Sequence, residues 1–175
     1  MTHKFAAAFL STLVCTLVLS AAVARAADVP PDVVKTITGD YQLSCAAVLD
    51  PTDAKLTAAF AYLSPDYVDT DIKGKTLTRD QVVALSTQFL KQLHSTTCEP
   101  SVVSETLNPD GTVTAVTQLH IAGNIQTPNG NHVVDAMQKA QDTWKQVGGT
   151  WMVVQGLELH NTVKMDGNTI QDEGQ

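Results

Sequence analysis

Two rhythms of apolar positions divide this chain, a helical one first and an alternating one after it. Val34, Ile37, Tyr41, Cys45 and Val48 recur at three- and four-residue steps, which predicts one buried face of a helix over 33–49. Gly39 weakens that helix by about 1 kcal/mol relative to alanine. Asp50-Pro51 reads as a fresh start, with Asp50 as N-cap and Pro51 at the first helical position. The second helix then carries Leu56, Ala59, Phe60 and Leu63 and stops at Ser64-Pro65. A short strand over 67–72 and a turn at Lys73-Gly74-Lys75 follow. Thr78 and Gln81 have capping-box spacing, and Val82, Leu85, Phe89 and Leu93 give a third helix to about His94.

Beyond Pro100 the pattern becomes that of strands, near 101–107, 112–125, 132–147 and 150–163. Asn108-Pro109-Asp110-Gly111, Pro128-Asn129-Gly130-Asn131 and Gly148-Gly149 separate them, and the diglycine between β-prone runs is a strong hairpin signal. Residues 165–175 are polar and read as a frayed tail.

The hairpins predict which side chains share a face. Pairing Val147 with Thr150 sets Trp144 opposite Val153, Asp142 opposite Gln155 and Gln138 opposite Leu159. Pairing Thr127 with His132 sets Gln138 opposite Ile121, Asp142 opposite Thr117 and Trp144 opposite Ala115. The two registers agree on one apolar face, interrupted by a row of Thr117, Asp142 and Gln155. His120, Lys139 and Glu158 fall on the other face, and a bulge would flip faces locally. A carboxylate among apolar rows is costly unless hydrogen-bonded or neutral, and such surroundings raise its pKa. Asp142 is therefore either a satisfied structural acid or a functional one.

Composition adds a compartment. Lys4, an apolar run from Phe5 to Val23 and Ala24-Arg25-Ala26 have the form of a secretory signal cleaved after Ala26, leaving 149 residues for one domain in a secreted or periplasmic setting. The chain has 11 basic and 18 acidic residues, net −7, and loss of Lys4 and Arg25 makes it −9. An acidic product with one remaining arginine, Arg79, argues against nucleic acid or an anionic membrane as partner. Cys45 and Cys98 remain as a pair, either a disulfide or two buried thiols. The histidines are not at ligand spacings, so no metal is expected, and no phosphate loop, serine-nucleophile motif or CxxC is present.

A helical pair, short strand, third helix and long sheet ending in an Asp-Thr-Trp strand, a glycine turn and Trp-Met-Val-Val resemble the nuclear transport factor 2-like superfamily, in its SnoaL-like and ketosteroid isomerase-like branch, over roughly 33–163. The resemblance implies an α+β fold, three N-terminal helices on a strongly curved antiparallel sheet, a cone-like half barrel over 27–164. It also implies an apolar pocket for a small apolar molecule, a homodimer formed through the sheet, and no cofactor. By position, Asp71 matches the family's general base, Asp142 its oxyanion-stabilising acid and Tyr41 its first-helix tyrosine. Thr117, Gln155, Trp144 and Gln138 would shape the cavity. Two functions remain open on this reading: cofactor-free proton transfer, or a non-catalytic ligand-carrying or interaction module.

Overall fold

A computed structural model describes residues 28–174, so the predicted export signal at 1–26 lies outside the described residues. Pro31 opens the first helix, α1 (Pro31–Leu49), where its fixed φ suits the first helical position and its missing N–H is no loss. Val33, Ile37, Cys45, Ala47 and Val48 form its buried face. The second helix, α2 (Asp53–Ala59), begins later than the sequence suggests, because Thr52 is the N-cap and accepts from the Lys55 N–H. Asp50 is drawn away to the Lys55 ammonium at 2.6 Å, and Pro51 stays in the connecting turn. Disulfide-bonded Cys45 and Cys98, with Cα atoms 5.4 Å apart, tie α1 to the third strand.

The strand β1 (Leu63–Thr70) starts before the predicted 67, and β2 (Thr76–Thr78) returns beside it. The capping box of Thr78 and Gln81 forms as expected and opens α3 (Arg79–Leu90). That helix ends short of His94 because the chain has already turned into β3 (Leu93–Leu107), an edge strand in which Pro100 is tolerated. The long strands β4 (Val113–Thr127), β5 (Gly130–Val147) and β6 (Thr150–Met165) follow. Residues expected to fray instead form β7 (Asn168–Gly174), hairpinned onto β6 through Asp166 and Gly167, both at positive φ.

Among the described residues, seven strands run in the order β2-β1-β6-β5-β4-β3, with β7 also on β6. β1 lies parallel to β6, so the sheet is mixed and not purely antiparallel as expected. Since β5 takes one side of β6, β1 and β7 share the other side end to end.

The registers correct the expected face in one decisive place. The β4–β5 hairpin pairs Thr127 with Gly130, two residues from the predicted register, which keeps each side chain on its face but sets Asp142 opposite Ala115 and Thr117 opposite Ala140. On β6, Val147 pairs with Thr150 and Trp144 with Val153 as predicted, but the next pair is Thr143 with Gln155. Val154 is therefore an extra residue, and the slip turns Gln155 to the opposite, exposed face. Gly156 takes the place opposite Asp142. A second slip at Leu159 sets Asn161 opposite Gln138, and Glu158, expected on the outer face, accepts from the Gln138 amide at 3.3 Å. His120 does lie on that outer face, between Glu99 and Asp135 at 3.4 and 3.2 Å.

One core cluster joins Val33, Ile37, Leu63, Val113, Trp144 and Val153; a second joins Ala47, Val48, Leu56, Ala59 and Leu90. Because the disulfide spans 53 residues of chain, replacing both cysteines by alanine is expected to lower stability by about 2–4 kcal/mol. Denaturant unfolding of the variant and of wild type with and without reductant measures this, and unchanged midpoints would contradict it.

Candidate functional site

Asp142 sits in β5 between the two smallest neighbours its row could offer, Ala115 on β4 and Gly156 on β6. Those small residues leave space above the sheet, and aromatic side chains fill it. From the middle of α1, Tyr41 reaches across and its O–H donates to Asp142 Oδ2. From β1, Tyr67 lies over Gly156, where any Cβ would collide with the phenol and would meet Asp69 Oδ1 at 2.6 Å. The Tyr67 O–H donates to that Asp69 oxygen at 3.2 Å. Tyr62 completes the group, so all three tyrosines of the chain converge on this end of the fold.

Trp144 is the floor beneath them. Its side chain is fully buried, Tyr62 stacks on it at 5.7 Å between ring centroids, and Tyr41 meets it edge-on at 6.3 Å. Its indole Nε1 has no hydrogen-bond partner among the described residues. Trp144 thus supports the tyrosines from behind and does not line the cavity.

That cavity, about 450 Å³, lies between the three helices and the sheet, within the range usual for small-molecule sites. Val48, Phe60, Phe89, Leu90, Leu119 and Ile121 make its apolar walls. Tyr41, Tyr62, Tyr67, Asp69, Thr117 and Asp142 make its polar end.

The electrostatics of that end are one-sided. Burial pushes the Asp142 carboxyl up to about 6, against the Tyr41 hydrogen bond, which lowers it, and with help from the nearby Asp69 charge. Burial raises Asp69 as well, and takes Asp40, beside Tyr41 on α1, to about 6. The phenols move the same way. Burial, then the Asp142 charge, raises Tyr41 strongly and brings Tyr62 to about 12, while burial and Asp69 raise Tyr67. Among the described residues, no lysine, arginine or histidine lines the cavity. Among the described residues no group of three or more His, Cys, Asp or Glu could hold a metal ion.

The structure brings together Tyr41, Asp142 and Thr117, with Gln138 farther along the wall. It does not bring Asp71 or Gln155 to them. Asp71 caps the turn after β1, its Oδ1 accepting from the N–H groups of Lys73 and Lys75 at 2.9 and 2.8 Å, and it is not a lining residue. Asp69, two residues back on the same strand face, is the acid that lines the cavity. The alternation in Tyr67-Val68-Asp69 carried that signal, since residues 67 and 69 must share a face with 71 and lie farther inside the strand. Tyr62 gave no such signal, being placed by the turn between α2 and β1.

No protein-family model and no curated protein matches the sequence. Solved structures do. An NTF2-like protein from Cytophaga hutchinsonii matches at TM-score 0.54 and 18% identity over 71% of this chain and 95% of its own. A conserved protein from Planctomyces limnophilus matches at TM-score 0.61 and 12% identity over 77% and 98%. The fold is NTF2-like. A Caulobacter vibrioides protein described as having a cystatin-like fold matches at TM-score 0.52 and 20% identity over 79% and 89%. At these identities the likeness extends to the NTF2-like architecture and not to an activity. The site must therefore be read from its own chemistry.

Proposed function

We propose that this NTF2-like chain is an exported, SnoaL-like domain that binds a small, largely apolar molecule bearing one polar group. The observation that carries the reading is the part-buried Tyr41–Asp142 hydrogen bond at one end of a largely apolar cavity. A structural acid needs no cavity beside it, and the polar end has a ligand-sized space in front of it. The disulfide supports export, since such bonds persist in oxidising compartments.

The pair has two proton states with different uses. Tyr41 carries one proton and, while Asp142 is ionised, spends it on the carboxylate. Protonation of Asp142 lets the acid donate to the phenol oxygen, and the Tyr41 O–H turns free to donate to a ligand oxygen. Proton transfer to a ligand would then need a second acid on the same wall. Asp69 meets that requirement and Asp71 does not, so any proton transfer would fall to Asp69 and not to Asp71 as base.

Thermal-shift titration with apolar ketones, steroids and polyketide-like compounds tests the reading. A true ligand at 100 times its Kd is expected to stabilise the fold by about 2.7 kcal/mol. Ala136→Phe, which fills the cavity from the β5 wall, is expected to abolish the response. An absence of stabilisation across the whole set would remove the proposal.

A further inference from the structure

We infer that the polar group of the cavity's ligand is a cation: the site takes an apolar body ending in a protonated amine or quaternary ammonium, seated between Asp142, Asp69 and the tyrosine rings. The inference rests on the binding reading above and names its ligand class.

Four observations carry it. First, among the described residues Asp142 and Asp69 are the only charged ones lining the cavity, so that wall carries negative charge without a counter-charge from them. Second, Asp142 is tied by one oxygen only: Oδ2 accepts from Tyr41, while Oδ1 has no hydrogen-bond partner among the described residues and the carboxyl faces the cavity. A buried carboxylate with an open oxygen is costly, and a cation supplied by the ligand offsets that cost where a neutral group does not. Third, Tyr41, Tyr62 and Tyr67 line the same end, and the π-faces of aromatic rings attract cations, most strongly when the site is dry. Fourth, two of the three phenol donors are already committed to carboxylates, while the Tyr62 oxygen accepts from the Ser44 hydroxyl at 3.5 Å. Tyr41 and Tyr67 give their protons to Asp142 and Asp69, which leaves lone pairs and ring electrons to meet a ligand, an arrangement that repels an anion. A metal ion would want more oxygen ligands than this, whereas the apolar walls suit an organic cation.

The charge state gives the inference a direction in pH. Burial holds Asp142 near 6, so raising the pH through that value ionises it and strengthens cation binding. A ligand oxygen seeking the freed Tyr41 O–H would follow the opposite trend. Cation binding in turn favours the ionised carboxylates, so it should release protons.

Calorimetric titration of the full chain with octyltrimethylammonium, 1-octanol and octanoate, at pH 7.5 and pH 5, tests this. The expected result at pH 7.5 is octyltrimethylammonium at least about tenfold tighter than octanol, octanoate weakest, and a several-fold smaller cation preference at pH 5. Asp142→Asn should reduce the preference to under about threefold, with the fold of the variant checked separately by its circular dichroism and its denaturant midpoint. Tetramethylammonium should bind weakly, since attraction to the acidic surface alone would retain it. Octanol binding as tightly as the cation at pH 7.5, or an unaltered cation preference in Asp142→Asn, would overturn the inference and leave the apolar-ligand reading standing. Binding of none of the probes would count against both.

Discussion

Truncation of Trp144 to alanine is expected to cost about 3–5 kcal/mol, the usual range for emptying a fully buried tryptophan site. The indole is the shared surface against which Tyr62 stacks and Tyr41 rests. Its neighbours on the sheet, Val113 and Val153, are themselves fully buried and have little freedom to close the gap. Against a total stability of about 5–15 kcal/mol for an ordinary domain, the loss is a large share. Trp144→Phe separates packing from polarity. It removes the unpartnered Nε1–H, whose burial itself costs about 1–3 kcal/mol, and keeps a ring under Tyr62, so it should be far milder. Denaturant unfolding with both variants measures the difference, and an alanine variant within 1 kcal/mol of wild type would show that the tyrosines do not depend on this floor.

Asp142→Asn should change the pH dependence of stability more than its value at any one pH. The carboxyl is held near 6 in the fold against 3.8 as its ordinary value, so the native state binds the proton more tightly than the unfolded chain. For a raised acid the stability is fully present below about pH 4 and is lost as pH rises to about 6 and beyond. The difference corresponds to an order-of-magnitude 3 kcal/mol. Asparagine accepts the Tyr41 hydrogen bond without titrating. Relative to wild type, the variant is therefore expected to gain roughly that amount between pH 4 and pH 6.5, read from denaturant midpoints across the range. Parallel wild-type and variant curves would mean that Asp142 carries no burial penalty. A gain would show that the chain retains this acid at the expense of stability, as functional groups often are.

Much of this architecture was legible in the residues because their local signals agree. The capping box at Thr78, the diglycine turn and the alternation of β4 and β5 each point to one structure, and each forms. Tyr41, Thr117 and Asp142 were also placed on the inner side, since a two-residue change of register preserves the face of a strand. The departures along β6 have one physical origin. Extra residues at Val154 and Leu159 leave no mark in composition, yet the first turns the side chains between them to the other face and the second turns the rest of β6 back. That is why Gln155 left the predicted row and a glycine entered it. The parallel pairing of β1 with β6 is a contact between segments distant in sequence, and no turn announces it. Asp71 stands before a glycine turn as the family's base does, but the turn's own N–H groups claim its carboxylate.

The end-to-end placement of β1 and β7 along β6 also governs how the sheet stops. With β6 covered on both sides, the long strand left at the border is β3, and its pairing with β4 slips at Ser95/Thr97 and again at Val102/Ser104. Between the slips lie Glu99 and Pro100, a charge and a residue with no N–H to offer. An incoming strand would find only short, misaligned runs of free backbone on that border. The chain thus ends its own sheet with devices that discourage addition of a further strand, and the polar C-terminal segment that reads as frayed in the sequence is one of them.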